Sequence, residues 1–199
     1  MAFSINPGIW PVMITPWTED NKPDYKAIKG LVDWYVEKGC AGIFAMCQSS
    51  EMAFLTPQEK LDIAKATADA VDGRIQVVAS GHTADDKATQ FKEIEDMMQI
   101  KGIGAYVLVS NRLDQKNEGE AVFEANAQEI FDRYPEIDFG IYECPMPWKR
   151  LVSTEFLRHA GEEGRMVFLK DTCCDIQQIK EKLDICRDSN LKLYNANTS

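Results

Sequence analysis

The chain has 199 residues, 45% of them hydrophobic, with 32 acidic against 22 basic side chains and a formal net charge of −10. That apolar share supports a sizeable core and argues against a disordered chain. The basic residues are scattered, with no Lys/Arg stripe interleaved with aromatics, which argues against nucleic acid as a partner. No window reaches the roughly 18 uninterrupted apolar residues of a membrane span, and the opening "MAFSINPGIW" lacks the basic and long apolar regions of a signal peptide.

Short, near-continuously apolar runs alternate with amphipathic segments along the whole chain. "IWPVMIT" (9–15) is the first expected strand. Ile28, Leu31, Val32, Tyr35 and Val36 then follow a helical spacing that Gly39 closes. "AGIFAMC" (41–47) is the second strand. Thr56-Pro57 opens a helix, with Pro at its first position and Glu59 near the capping-box place. "IQVVAS" (75–80) follows, and a third helix beginning at Thr83 or Asp85 carries Ala88, Phe91, Ile94 and Met97. "AYVLVS" (105–110) precedes a helix from about Glu118 to Arg133. "FGIYEC" (139–144) precedes one from Ser153, and "MVFLK" (166–170) precedes one through Ile176, Ile179 and Leu183. "LKLYNA" (191–196) is the last strand.

Runs that are apolar throughout, not alternating, are those of strands covered on both faces. Strand and helix repeating at about 30 residues argue a parallel α/β sheet with right-handed crossovers. A doubly wound sheet should show GxGxxG after its first strand, and "TPWTEDN" has none, so the (β/α)8 TIM barrel is favoured. With no linker or charge block, residues 1–199 read as a single domain. The seven strands and six helices counted make it a barrel cut short after the seventh strand. Such an open barrel exposes core surface and an unpaired edge.

The six cysteines form no CxxC pair, and His82 and His159 stand in no ligand-like spacing with them. Vicinal Cys173 and Cys174 are too close for comfortable disulfide geometry. All six read as reduced thiols of a cytoplasmic protein, and no metal site is supported.

In a (β/α)8 barrel the chemistry lies at the C-terminal strand ends. "VFLKDTCCD" ends an apolar strand on Lys170. A solvated strand end, a thiol or metal site, and a reactive amine are the alternatives there. A lysine desolvated by apolar strands loses preference for its charged form, and a neutral amine attacks carbonyl carbon to form a Schiff base. Tyr142, ending the preceding strand, is either a proton shuttle for that amine or a buried aromatic with a satisfied hydroxyl. The "QSSE" turn, with Gln48 and Ser49, is either a carboxylate cradle of N–H groups and hydroxyls or a plain helix cap. Amine, proton shuttle and carboxylate cradle together describe a 2-oxo acid site.

These segments, in this order, resemble the dihydrodipicolinate synthase / N-acetylneuraminate lyase family of class I aldolases. "GIWPVMITPW" is similar to the family's first strand with its T-P-F ending, and "CQSSEMAFLTPQEK" to its GTTGE segment. "IYECP" is similar to the Y-N-V-P strand, "FLKDTCCD" to the strand of the Schiff-base lysine, and "LYNAN" to the L-Y-N-G strand of the lyase branch. The resemblance implies that Lys170 condenses with pyruvate or another 2-oxo acid and that Tyr142 moves the proton of the aldol step. It further implies that Gln48 and Ser49 bind the carboxylate and that Asn195 and Ala196 line the substrate site. No metal or organic cofactor is implied, and a homo-oligomer, dimer or tetramer, is.

Several positions depart from the family pattern. Cys47, Gln48 and Ser50 replace a glycine, a threonine and a glycine of GTTGE. Pro147 stands where synthases carry an arginine, with Lys149 and Arg150 out of register, and Ser110 stands where they carry a second tyrosine. Thr198 and Ser199 fall where sialic acid lyases place acidic residues. The missing arginine and "YNA" favour a lyase-like or sugar-acid aldolase over dihydrodipicolinate synthesis, while Thr198 and Ser199 speak against sialic acid itself as the substrate. A non-catalytic acid-binding relative and an inactive fragment are the remaining alternatives.

Overall fold

A computed structural model describes residues 3–187 and 189–196; Asn197, Thr198 and Ser199 lie outside the described residues. The chain divides into two compact units, Asn6–Tyr106, and Val107–Ser199 with Met1–Ile5.

In the first unit, helix α1 (Tyr25–Glu37) starts on the Asp24 carboxylate, which accepts the Ala27 N–H. It leads into strand β1 (Gly42–Phe44). Helix α2 (Pro57–Val71) has the expected capping box, in which Thr56 and Glu59 satisfy each other's backbone N–H. Replacing Thr56 by alanine would cost that helix about 1 kcal/mol. Strand β2 (Gln76–Ala79) pairs parallel to β1 and to the start of strand β3 (Ile103–Val109). Helix α3 (Lys87–Met98) begins later than the spacing suggests, because the Asp86 carboxylate, not Thr83 or Asp85, caps it by accepting the Thr89 N–H. The Thr83 hydroxyl is instead committed to Glu93.

Residues 9–15, expected as a strand, form a single parallel bridge, Val12 to Phe44. Phe44 N–H donates to the Pro11 carbonyl and Met13 N–H to the Phe44 carbonyl. Pro11 has no N–H with which to extend the ladder. Six strands are therefore present among the described residues where the sequence suggested seven, the missing one being the first.

In the second unit, helix α4 (Glu120–Arg133) precedes strand β4 (Phe139–Tyr142), and helix α5 (Thr154–Glu162) precedes strand β5 (Met166–Asp171). Ser153 caps α5 by accepting the Phe156 N–H. Helix α6 (Ile176–Arg187) leads into strand β6 (Lys192–Asn195). Strands β4, β5 and β6 pair in parallel, in chain order. Gly140 is required here, since an added Cβ would lie 2.9 Å from both the Cβ and the carbonyl oxygen of Phe168. Phe123, Phe131 and Phe156 pack ring to ring beneath α4 and α5, with Phe123 and Phe156 at 5.0 Å. Losing one such ring to alanine costs about 3–5 kcal/mol.

Each parallel strand is joined to the next by a helix; β1 and β4 are wholly buried, β2, β3 and β5 are buried but for one partly exposed residue each, and β6 is the most exposed. This is the expected α/β fold of the (β/α)8 class. Helix α6 departs from the sequence reading in one respect. Ile176 and Leu183 are exposed, and the helix buries Lys182 and Cys186 instead. No helix among the described residues is long and apolar enough to cross a membrane.

Candidate active site

The parallel register of β4, β5 and β6 decides what stands beside Lys170. Tyr142 is its partner on β4 and Tyr194 its partner on β6. Residues level in a parallel ladder project from the same face, so two tyrosines flank the lysine. The Lys170 Nζ lies 4.0 Å from the centre of the Tyr142 ring, over its face. Tyr142 is buried and Lys170 partly buried, while the Tyr194 ring stacks on Phe168 at 4.8 Å. A ring face stabilises a cation by about 0.5–2 kcal/mol depending on desolvation. The same face serves an ammonium and a protonated imine. Tyr194 was not singled out from the sequence as a site neighbour; the β5–β6 pairing brings it level with Lys170.

One residue further along each strand the side chains turn to the opposite face. There Glu143 and Asp171 are fully buried and share one cation, Lys182 of α6. Lys182 Nζ donates to Glu143 Oε1 at 2.5 Å and to Asp171 Oδ2 at 2.7 Å. Burial alone would lower the Lys182 pKa, but the Glu143 charge and the hydrogen bonds to both carboxylates outweigh it and raise it above the ordinary lysine value. Glu143 also receives the N–H groups of Val152 (2.9 Å) and Thr172 (2.8 Å), and its carbonyl accepts the Thr172 hydroxyl. Asn195 is level with Asp171, and the Ala196 N–H donates to the Asp171 carbonyl at 2.9 Å, so both lie at the end of β6 just past Tyr194.

The connection after β4 is held by Asn111, whose amide donates to the carbonyls of Cys144, Met146 and Trp148 at 2.7–3.0 Å. Ser110 donates its hydroxyl to the Arg150 carbonyl at 2.7 Å. Arg150 is itself paired with Glu120 (2.8 Å) and Asp114 (3.4 Å), over the Phe123 ring. Lys149, by contrast, is exposed and donates to the Thr172 carbonyl at 2.8 Å.

The thiol alternative at the end of β5 gains nothing from the geometry. Burial, reinforced by the neighbouring Asp171 carboxylate, raises the Cys173 pKa, and Cys174 is exposed with φ of 59°. Burial pushes the Cys186 thiol up to about 11. A raised thiol pKa means less thiolate and weaker nucleophilicity. None of the six cysteines is in a disulfide.

In the first unit, Gln48 and Ser49 open a short 3-10 turn, Gln48–Ser50, past the end of β1. Ser49 is exposed and Gln48 partly buried. Ser50, the buried member of the turn, donates its hydroxyl to the Met13 carbonyl at 2.5 Å, and its own carbonyl accepts the Thr15 hydroxyl at 2.7 Å. Ser50 thus fastens residues 13–15 to the turn.

The model of the dihydrodipicolinate synthetase family matches residues 6–196. The chain is similar to the 4-hydroxy-tetrahydrodipicolinate synthase of Methanococcus maripaludis strain C5, at 23% identity over 181 residues, which are 90% of this chain and 60% of that protein. The chain therefore spans about three-fifths of the length of the curated relatives it matches. Among solved structures, a dihydrodipicolinate synthase of Bacillus anthracis superposes with a TM-score of 0.82 at 19% identity, covering 97% of this chain and 64% of that one. The chloride-inhibited synthase of Acinetobacter baumannii, complexed with pyruvate, superposes with a TM-score of 0.82 at 21% identity, covering 94% and 62%. At such identities the superpositions speak for the fold.

Proposed function

The chain belongs to the dihydrodipicolinate synthetase family, and from that premise we propose that it carries the reactive lysine of a Schiff-base class I aldolase or lyase acting on pyruvate or another 2-oxo acid. The observation that carries this reading is the register pair of Lys170 and Tyr142, with the amine 4.0 Å from the ring.

The neutral Lys170 amine attacks the keto carbon of the 2-oxo acid and gives a carbinolamine. Loss of water from it leaves a protonated imine over the Tyr142 ring. The iminium then draws electrons from the adjacent carbon. In synthesis that carbon loses a proton and attacks an aldehyde; in cleavage the carbon–carbon bond breaks and the enamine is protonated. Hydrolysis returns the 2-oxo acid and the free amine. Tyr142 moves the proton at the carbinolamine and at the aldol oxygen. In the same reading Gln48 and Ser49 bind the carboxylate, and Asn195 and Ala196 border the part of the substrate beyond the keto carbon. These four assignments rest on the order of motifs along the chain.

Synthesis of 4-hydroxy-tetrahydrodipicolinate is the second reading, favoured by the names of the relatives. Against it, the Ser110 hydroxyl is committed to the Arg150 carbonyl, and Arg150 to two carboxylates. Neither offers a substrate a relay or a free cation, which favours the lyase or sugar-acid aldolase branch. Incubation with pyruvate and sodium borohydride, followed by peptide mass mapping, tests the proposal. A reduced adduct on Lys170 supports it, and a folded protein with no adduct there rejects pyruvate chemistry.

A further inference from the structure

Lys182 stands on the buried face of α6, a place ordinarily taken by an apolar side chain. It is 1% exposed, and its two partners are wholly buried. A buried ion cluster is seldom more stable than apolar side chains of the same volume. This one holds two carboxylates against a single ammonium, so charge balance is not its rationale. Its partners are distinctive by position. Glu143 directly follows Tyr142, and Asp171 directly follows Lys170. The ammonium bridges the two, and the Glu143 carboxylate takes up the Val152 and Thr172 N–H groups as well. Asp171 Oδ1 accepts the Cys173 N–H and thiol, each at 3.2 Å. Few rotations remain for either strand end. An aliphatic residue in place of Lys182 would fill the space without fixing the separation or twist of the two strands.

We infer that Lys182 is a positioning residue of this site: by clasping Glu143 and Asp171 behind the sheet, it holds the ends of β4 and β5 so that Lys170 and Tyr142 stay in register on the other side. The inference rests on the Schiff-base reading above. Lys182 touches neither substrate nor the reacting atoms; it acts through the backbone of the residues that do. A displacement of about 1 Å in a reacting pair is enough to lower a rate on the order of 100-fold.

The test compares wild type with Lys182→Met, which keeps length and apolar stem and removes the cation. Circular dichroism and thermal melting first set a temperature at which both are folded. At that temperature the rate of borohydride-trapped pyruvate adduct on Lys170 is measured against pyruvate concentration, which separates apparent affinity from the limiting rate. The expected result is a limiting rate roughly 10- to 100-fold lower with apparent affinity changed little. A folded Lys182→Met protein that traps pyruvate at the wild-type limiting rate overturns the inference while leaving the aldolase reading intact. Absence of a Lys170 adduct in folded wild type, with pyruvate and with other 2-oxo acids alike, overturns the reading and the inference with it. Should Lys182→Met not fold, Glu143→Gln and Asp171→Asn each withdraw one arm of the clasp. Slower trapping in both supports the inference, and wild-type limiting rates in both reject it.

Discussion

Two buried lysines, one in each unit, invite comparison. Lys60 on α2 donates to Glu93 of α3 at 3.2 Å, to the Gly81 carbonyl at 3.3 Å and to the Thr83 hydroxyl. Lys182 on α6 donates to Glu143 and Asp171. The first cluster is electrically balanced and keeps some exposure, with Glu93 at 14%, whereas the second has two anions for one cation and both anions at 0%. The Lys60 cluster joins two helices and the loop after β2, a scaffold task. The Lys182 cluster joins two strand ends at the residues following Tyr142 and Lys170. The difference teaches that a buried charge is best judged by what its partners are attached to. An unbalanced cluster persists where stability alone would have replaced it.

The widest separation between structural and chemical roles comes at Lys170 itself. Lys170→Ala is expected to abolish pyruvate-dependent borohydride labelling while leaving the thermal midpoint near wild type, because the side chain is only partly buried. Labelling retained at another lysine would move the site. Next in size is Tyr142→Phe, which keeps the ring under the amine and removes the hydroxyl. If the hydroxyl moves protons, turnover falls about 10²–10⁴-fold, and steady-state assays with candidate 2-oxo acid aldols read it. Turnover near wild type would leave the ring face as the whole contribution of Tyr142.

Much of this was legible in the sequence, for identifiable reasons. Lys170 and Tyr142 stand at the ends of apolar runs, and parallel pairing of consecutive strands leaves little freedom in where such ends fall. The Thr56–Glu59 cap is local and was readable for that reason. The residues 9–15 fell short of a strand because ladder hydrogen bonds depend on the donor missing at Pro11, which hydropathy does not weigh. Lys182 was invisible because its burial depends on partners 39 and 11 residues away. Apolar periodicity assigned the inner face of α6 to Ile176 and Leu183, yet the face rotates to bring the lysine to its acids. The available signal was the acid that follows each of Tyr142 and Lys170. Two carboxylates on the covered face of adjacent buried strands require a cation from the helix layer.

Lys182→Met should therefore cost stability as well as rate. It leaves two buried carboxylates without their cation, a loss of about 3–5 kcal/mol, measurable by urea denaturation. Lys60→Met is the smaller counterpart. Glu93 keeps the N–H groups of Thr83 and Ala84 and the Thr83 hydroxyl, so the cost is nearer ~1–3 kcal/mol. The trapping rate at Lys170 should not change in this variant. Equal losses of stability, or equal losses of trapping, would erase the distinction between the two clusters.

The smallest effect is also the most specific to charge. Burial opposes the ammonium of Lys182, yet Glu143 and Asp171 together raise its pKa above the ordinary value of 10.5. A lysine whose pKa is higher folded than unfolded contributes stability that is fully present below the unfolded value and is lost as pH rises through the folded one. The stability gap between wild type and Lys182→Met should therefore stay level from about pH 7 to 9 and narrow only in the alkaline range above the unfolded lysine value. Urea denaturation across that series, with Lys60→Met alongside to subtract general alkaline unfolding, reads the gap directly. A gap that narrows below about pH 9 would mean that the Lys182 proton is held less tightly in the folded chain than in the unfolded one, and a clasp built on a charged lysine would not survive that result.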